Sequence, residues 1–135
     1  MKRILQGIAI LVVAVLAARY GEVPGTTTSV DEAFEARLSD QMMVVEGQVT
    51  KVLADDNHGS RHQRFIVRVP SGRTVLIAHN IDLAPRVKGL REGDSVRMYG
   101  EYEWNERGGV LHWTHHAPRG DHADGWIEHN GERYQ

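Results

Sequence analysis

A mainly β fold, one small five-stranded barrel with a short N-terminal helix and an irregular histidine-rich C-terminal tail, is what this 135-residue sequence predicts. Three observations carry the prediction. Apolar residues alternate with polar ones in successive short runs, the period of strands that bury one face. Gly47 and Gly100 fall inside two of those runs, where the strands of a small barrel must bend sharply. Clusters of turn formers separate the runs, and the longest irregular connection lies between the third and the fourth.

The N-terminal segment stands apart from the fold. Lys2 and Arg3 precede an uncharged apolar run from Ile8 to Ala18, shorter than the roughly 20 residues of a spanning helix and typical of a secretory signal. Residues 1–19 are expected to be a signal peptide, with Val15-Leu16-Ala17 as the small-residue cleavage site, or an uncleaved anchor over residues 4–18. Either reading exports the remainder to the periplasm or beyond the cell. A retained anchor keeps Lys2 and Arg3 cytoplasmic and the domain in contact with the inner membrane. Residues 20–28, rich in Gly, Pro and Thr, read as a linker, and residues 29–135 as one small-barrel domain.

The elements follow in order. Ser29-Val-Asp-Glu32 is a capping box, and Val30, Phe34 and Leu38 repeat at helical spacing, which predicts a packing helix over about 30–40. Val45, Gly47 and Val49 mark the first strand, and Asp55 to Ser60 the loop after it. Phe65, Val67 and Val69 form the second, and Pro70-Ser-Gly72 turns the chain into the third, Thr74 to Ala78. Residues 79–90 carry Pro85 and no clean period, and read as a loop with one helical turn at most. The fourth strand puts Val96, Met98, Gly100 and Tyr102 on one face, with Arg97, Tyr99, Glu101 and Glu103 on the other. Asn105 to Gly109 is a hairpin loop, and Val110 to His115 the fifth strand.

This pattern resembles the OB fold, a five-stranded Greek-key barrel. The resemblance extends to a family. The runs Asp55-Asp-Asn-His-Gly-Ser-Arg-His-Gln-Arg-Phe65, Leu76-Ile-Ala-His-Asn-Ile-Asp-Leu-Ala-Pro85, Gly100-Glu-Tyr-Glu-Trp104, Gly108-Gly-Val-Leu-His-Trp-Thr-His-His116 and Asp124-Gly-Trp-Ile127 are similar to domain-of-unknown-function family 3465. That resemblance implies a short bacterial protein with an N-terminal export or anchor segment, and it brings no activity or site residue with it.

Composition narrows the chemistry. The formal charge is −2, so no overall basic field draws a nucleic acid. Cysteine is absent, which removes disulfides, thiolate metal sites and cysteine nucleophiles. A metal would need His, Asp or Glu, donors that suit zinc, copper, nickel or manganese.

The eight histidines all fall between His58 and His129. His112, His115, His116 and His122 are the candidate ligands for a divalent metal such as zinc, although their spacing matches no zinc signature. The alternative is that these rings bond backbone groups in the tail. Asp55, Asp56, Arg61, His62 and Arg64 form a second cluster beside the usual OB ligand face and could cradle a phosphate group. The plain reading is a capped turn with surface ion pairs. His79 and Asn80 end the third strand near the same mouth, and Tyr99 faces outward where a ring could stack. Glu101 and Glu103 share that outer face and repel phosphates, which disfavours nucleic acid and favours a neutral or cationic ligand.

These features predict a non-enzymatic binding module of the bacterial envelope, for a small molecule, a glycan or an envelope protein. The rival expectation is a metal-dependent hydrolase of a phosphate or sugar ester built on the histidines, and a third is a structural envelope protein.

Overall fold

The computed structural model describes residues 28–135. The expected export segment, and the expected linker up to its last residue, lie outside the described residues.

Helix α1 (Val30–Glu35) begins as the capping box predicts, the Ser29 hydroxyl accepting from the Glu32 amide at 3.1 Å. It ends well before residue 40. Arg37 takes a left-handed φ of 53°, its amide donates to the Phe34 carbonyl, and the Leu38 amide donates to the Ala33 carbonyl. That is a Schellman turn with arginine where glycine is usual, so no residue type announced the stop. Leu38 is exposed as a result, and Val30 and Ala33 make the buried stripe.

Strand β1 (Gln41–Val52) is long enough to serve two partners. Its first part lies antiparallel to β4 (Ser95–Glu103), and its second to β2 (His62–Arg68). It bends at Gly47, where a Cβ would stand 2.2 Å from the Arg68 carbonyl oxygen, and its register shifts between Val49 and Lys51. β2 pairs antiparallel with β3 (Thr74–Asn80), β3 parallel with β5 (Val110–His112), and β5 antiparallel with β4. The ring β1-β2-β3-β5-β4 closes on β1, which is the five-strand OB barrel. Met43, Val45, Phe65, Val67, Ile77, Met98, Tyr102 and Leu111 point inward and are fully buried, so the alternation read along each strand is the real inward face.

Each end of the barrel is closed by a different device. At the Thr74 end, Arg73 reaches α1 through Asp31 and Glu35. At the Asn80 end, the long connection runs irregularly, and buried Val87 sits in a clamp: the Gln63 side-chain amide donates to its carbonyl at 3.0 Å and accepts from its amide at 2.9 Å.

The tail departs from the five strands counted in the sequence. Residues 113–125 are irregular, and β6 (Trp126–His129) and β7 (Glu132–Tyr134) then form a hairpin. β6 lies along β4 beside β5, with Trp126 opposite Tyr99. The fifth strand also ends at His112 rather than His115, because Trp113 adopts a left-handed φ of 54°.

Candidate functional site

The predicted cluster from Asp55 to Arg64 is spent on holding loops. Asp55 pairs with Arg86, whose guanidinium lowers its carboxyl pKa. Asp56 accepts from the His58 amide and lies against the His58 ring, and both contacts lower its pKa. Arg61 joins Asp82 at 2.7 Å, Arg64 donates twice to the Ala54 carbonyl, and the His62 ring lies 2.9 Å from the Ser60 carbonyl. Asn80 caps the turn at Asp82. Each of these groups has a structural partner in the loops. Tyr99, half-buried, has the tilted Trp126 ring beside it at 6.1 Å.

His79 is inside the barrel with no exposed surface. Burial pushes its pKa down to about 4, against the opposing pull of the Pro85 carbonyl.

The C-terminal histidines divide around Trp113. The His112 ring stacks on Trp113 at 5.1 Å, and the His122 ring on the same indole at 4.4 Å. His115 meets His122 edge-on at 5.4 Å. Nδ1 of His115 lies 2.7 Å from the His116 carbonyl and that of His122 lies 2.8 Å from the Ala123 carbonyl, while His116 faces Asp124 at 3.5 Å. The four imidazoles therefore do not converge as one ligand set. The cause is the turn at Trp113, which sends the following residues away from the strand. Burial lowers the pKa of both His112 and His115, with Glu103 partly offsetting it at His112. Leu83, Trp113, His115, Pro118, Arg119 and His122 border a shallow depression of about 370 Å³ beside this stack. A larger depression, about 790 Å³, lies against β6 and β7, where Arg97 and Arg133 are already paired with Glu46 and Glu128.

What the fold does bring to His112 is acidic. Glu101 stands directly opposite it across β4 and β5, and Glu103 stands one pair further along the same face. His112 Nε2 is 3.2 Å from Glu101 and 3.8 Å from Glu103. Asp40 lies against Glu103, and this contact raises the Asp40 pKa. Among the described residues, Glu101, Glu103 and His112 are the group whose ligand atoms all fall within 4.8 Å of one another.

A family described as "Protein of unknown function (DUF3465)" matches residues 12–135, nearly the whole chain. The chain belongs to that family. No curated protein matches it. In this DUF3465 member the OB barrel thus presents two neighbouring features, a ring stack around Trp113 and a carboxylate–imidazole group beneath it. Glu101 and Glu103 were legible in the sequence only as outward-facing acids. Their meeting with His112 depends on the β4–β5 register, which no spacing along the chain encodes.

Proposed function

We propose that this DUF3465 protein is an exported, non-enzymatic OB-fold binding module that takes a small molecule or glycan of the bacterial envelope in the depression beside Trp113. The observation that carries the reading is the backbone at Trp113. A bulky aromatic residue is rarely found at left-handed φ, and such conformations persist where the surroundings enforce them and concentrate at functional sites. Here the enforcement is tight: a Cβ on Gly125 would lie 2.0 Å from the Trp113 carbonyl oxygen. The result is an indole fixed among imidazoles at the rim of a hollow whose lining mixes apolar Leu83 and Pro118 with polar Arg119 and His115. That mixture and a volume of about 370 Å³ suit a small ligand. Leu83, half exposed, supplies apolar surface at the edge.

Export is part of the same proposal and rests on Lys2, Arg3 and the apolar run that follows. Periplasmic release tests it directly: the protein is expected in the periplasmic fraction, or in inner-membrane vesicles if residues 4–18 are retained. Recovery from the cytosol would refute it.

The binding reading is tested by titrating the full chain with neutral and amino-sugar oligosaccharides while following the Trp113 indole and His122 imidazole by NMR. Shifts confined to these residues and Leu83, abolished in Trp113→Ala, support it. Shifts confined to the hollow beside β6 and β7, or none across the panel, would refute it. The rival hydrolase has one observation in its favour, the convergence of Glu101, Glu103 and His112.

A further inference from the structure

We propose that Glu101, Glu103 and His112 form a binding site for one divalent transition-metal ion, zinc or manganese, on the outer face of β4 and β5. This inference goes beyond the ligand hollow and stands independently of it, since none of its three donors lines that hollow.

Three independent observations support it. The first is geometry. Ligands about 2.1 Å from a tetrahedral zinc are about 3.4 Å from one another. The separations from His112 Nε2 to the two carboxylates, 3.2 and 3.8 Å, bracket that spacing before any side chain moves. Two of the three donors are fixed by backbone pairing, because Glu101 and His112 are directly opposed residues in adjacent strands.

The second is the burial of Glu101. Its side chain is only 10% exposed. A buried carboxylate ordinarily takes an arginine or lysine partner, because an uncompensated buried charge is costly. Among the described residues no Lys or Arg pairs with Glu101, and its partner is the His112 imidazole at 3.2 Å. An imidazole nitrogen is a common metal ligand.

The third is the surplus of acid. Glu101 and Glu103 both face the one imidazole of His112. Neighbouring carboxylates repel unless a proton or a cation lies between them. A divalent ion answers both carboxylates at once. The imidazole in the set argues for zinc or manganese over calcium and magnesium, which prefer all-oxygen coordination.

The test uses the full chain without an affinity tag, stripped with chelator and titrated calorimetrically with zinc chloride and separately with manganese chloride at neutral pH. One equivalent is expected to bind at micromolar or tighter affinity. Glu103→Gln, at a half-exposed position that leaves the fold intact, is expected to weaken binding by more than the roughly 10–100-fold that outer-shell changes cost. Glu101→Gln and His112→Gln should do the same. If the buried Glu101 variant fails to fold, the Glu103→Gln result and the metal-dependent rise in Tm of the unaltered chain carry the decision. His115→Gln and His122→Gln should bind metal as before. Absence of binding to both ions, binding unaffected by Glu103→Gln, or binding lost in the His115 and His122 variants would each overturn the proposal.

Discussion

His79 accepts a hydrogen bond of 2.8 Å at Nδ1 from the Thr114 hydroxyl, inside the barrel. The direction is set by the other ring nitrogen. Nε2 lies 2.9 Å from the Pro85 carbonyl, which only accepts, so Nε2 carries the proton and Nδ1 offers its lone pair. One neutral tautomer thus joins β3, the loop that closes the barrel, and the start of the tail. A proton added at Nδ1 would leave Thr114 facing a donor.

This bond predicts a loss of stability in mild acid. The folded His79 stays neutral down to about pH 4, whereas the unfolded chain takes up a proton near the ordinary value of 6.5. Between these values the unfolded state binds more protons, so stability falls as pH falls. The full effect is about 3 kcal/mol, complete only below the folded pKa. Urea midpoints at pH 7.5 and 5.0 measure it together with the same-signed effects of His112 and His115, and His79→Gln is expected to reduce the slope between them. The carboxylates with lowered pKa, among them Asp55 and Asp82, act separately and only at lower pH. An equal slope in the variant would show that another group titrates.

Gly100 is predicted to tolerate no side chain. A Cβ there would lie 2.5 Å from the His112 carbonyl oxygen and 2.8 Å from Thr114 Cγ2, so β5 can cross β4 only over a glycine. Gly100→Val should cost about 3 kcal/mol or more by overpacking. Gly59→Ala is the control: unlike Gly100 it has a positive φ, +72°, and nothing lies within 4 Å of its Cβ position. It should cost only about 1 kcal/mol, the left-handed penalty alone. Equal melting temperatures for the two variants would argue against this packing.

The barrel was legible because its inward residues alternate strictly, Phe65 with Val67, Val75 with Ile77, Val96 with Met98. The terminal hairpin was not read, although its signal was present. Asn130 and Gly131 both take positive φ, 49° and 76°, as the two central residues of a tight hairpin turn. The concentration of histidines and the shortness of β6 and β7 obscured it. The helix end was hidden for a different reason, since Arg37 fills a position that glycine usually marks. At the candidate site, His112 was legible as a ligand type. Its partners were not, because Glu101 and Glu103 reach it only through strand register, and Trp113 turns His115 and His122 elsewhere.

Arg73 is predicted to hold α1. Its guanidinium lies 3.9 Å over the Phe34 ring and reaches Asp31 at 3.0 Å and Glu35 at 2.8 Å. A six-residue helix has no stability of its own and depends on such docking. Arg73→Ala should lose about 1 kcal/mol from the ring contact. Amide exchange should quicken across residues 30–38 while Phe65 and Ile77 stay protected. Arg73→Lys should fall between, because lysine lacks the flat fork that stacks and bonds together. Uniform acceleration through the barrel would mean that α1 is part of the global folding unit.

Asp94 is predicted to lock the C-terminal hairpin. Its Oδ2 accepts from His129 Nε2 at 2.8 Å and from the Arg91 amide at 2.9 Å, and the His129 bond is the first cause of its lowered pKa. The His129 side chain is 1% exposed, so it has no water to replace that acceptor. The Asp94 carbonyl meanwhile accepts from the Val49 amide at 2.8 Å, which ties this turn to β1. One residue therefore joins the hairpin to the barrel. Asp94→Ala should loosen β6 and β7 while leaving the barrel folded. Asp94→Asn, which keeps an acceptor, should loosen them less. Trp126 reports the release, since its ring is now covered by Tyr99 and by the Arg97 and Arg133 guanidiniums. Its emission should shift to the red in Asp94→Ala at temperatures where Phe65 and Ile77 amides remain protected. A shift seen only when the barrel itself melts would show that strand pairing between β4 and β6 holds the hairpin without the His129 bond.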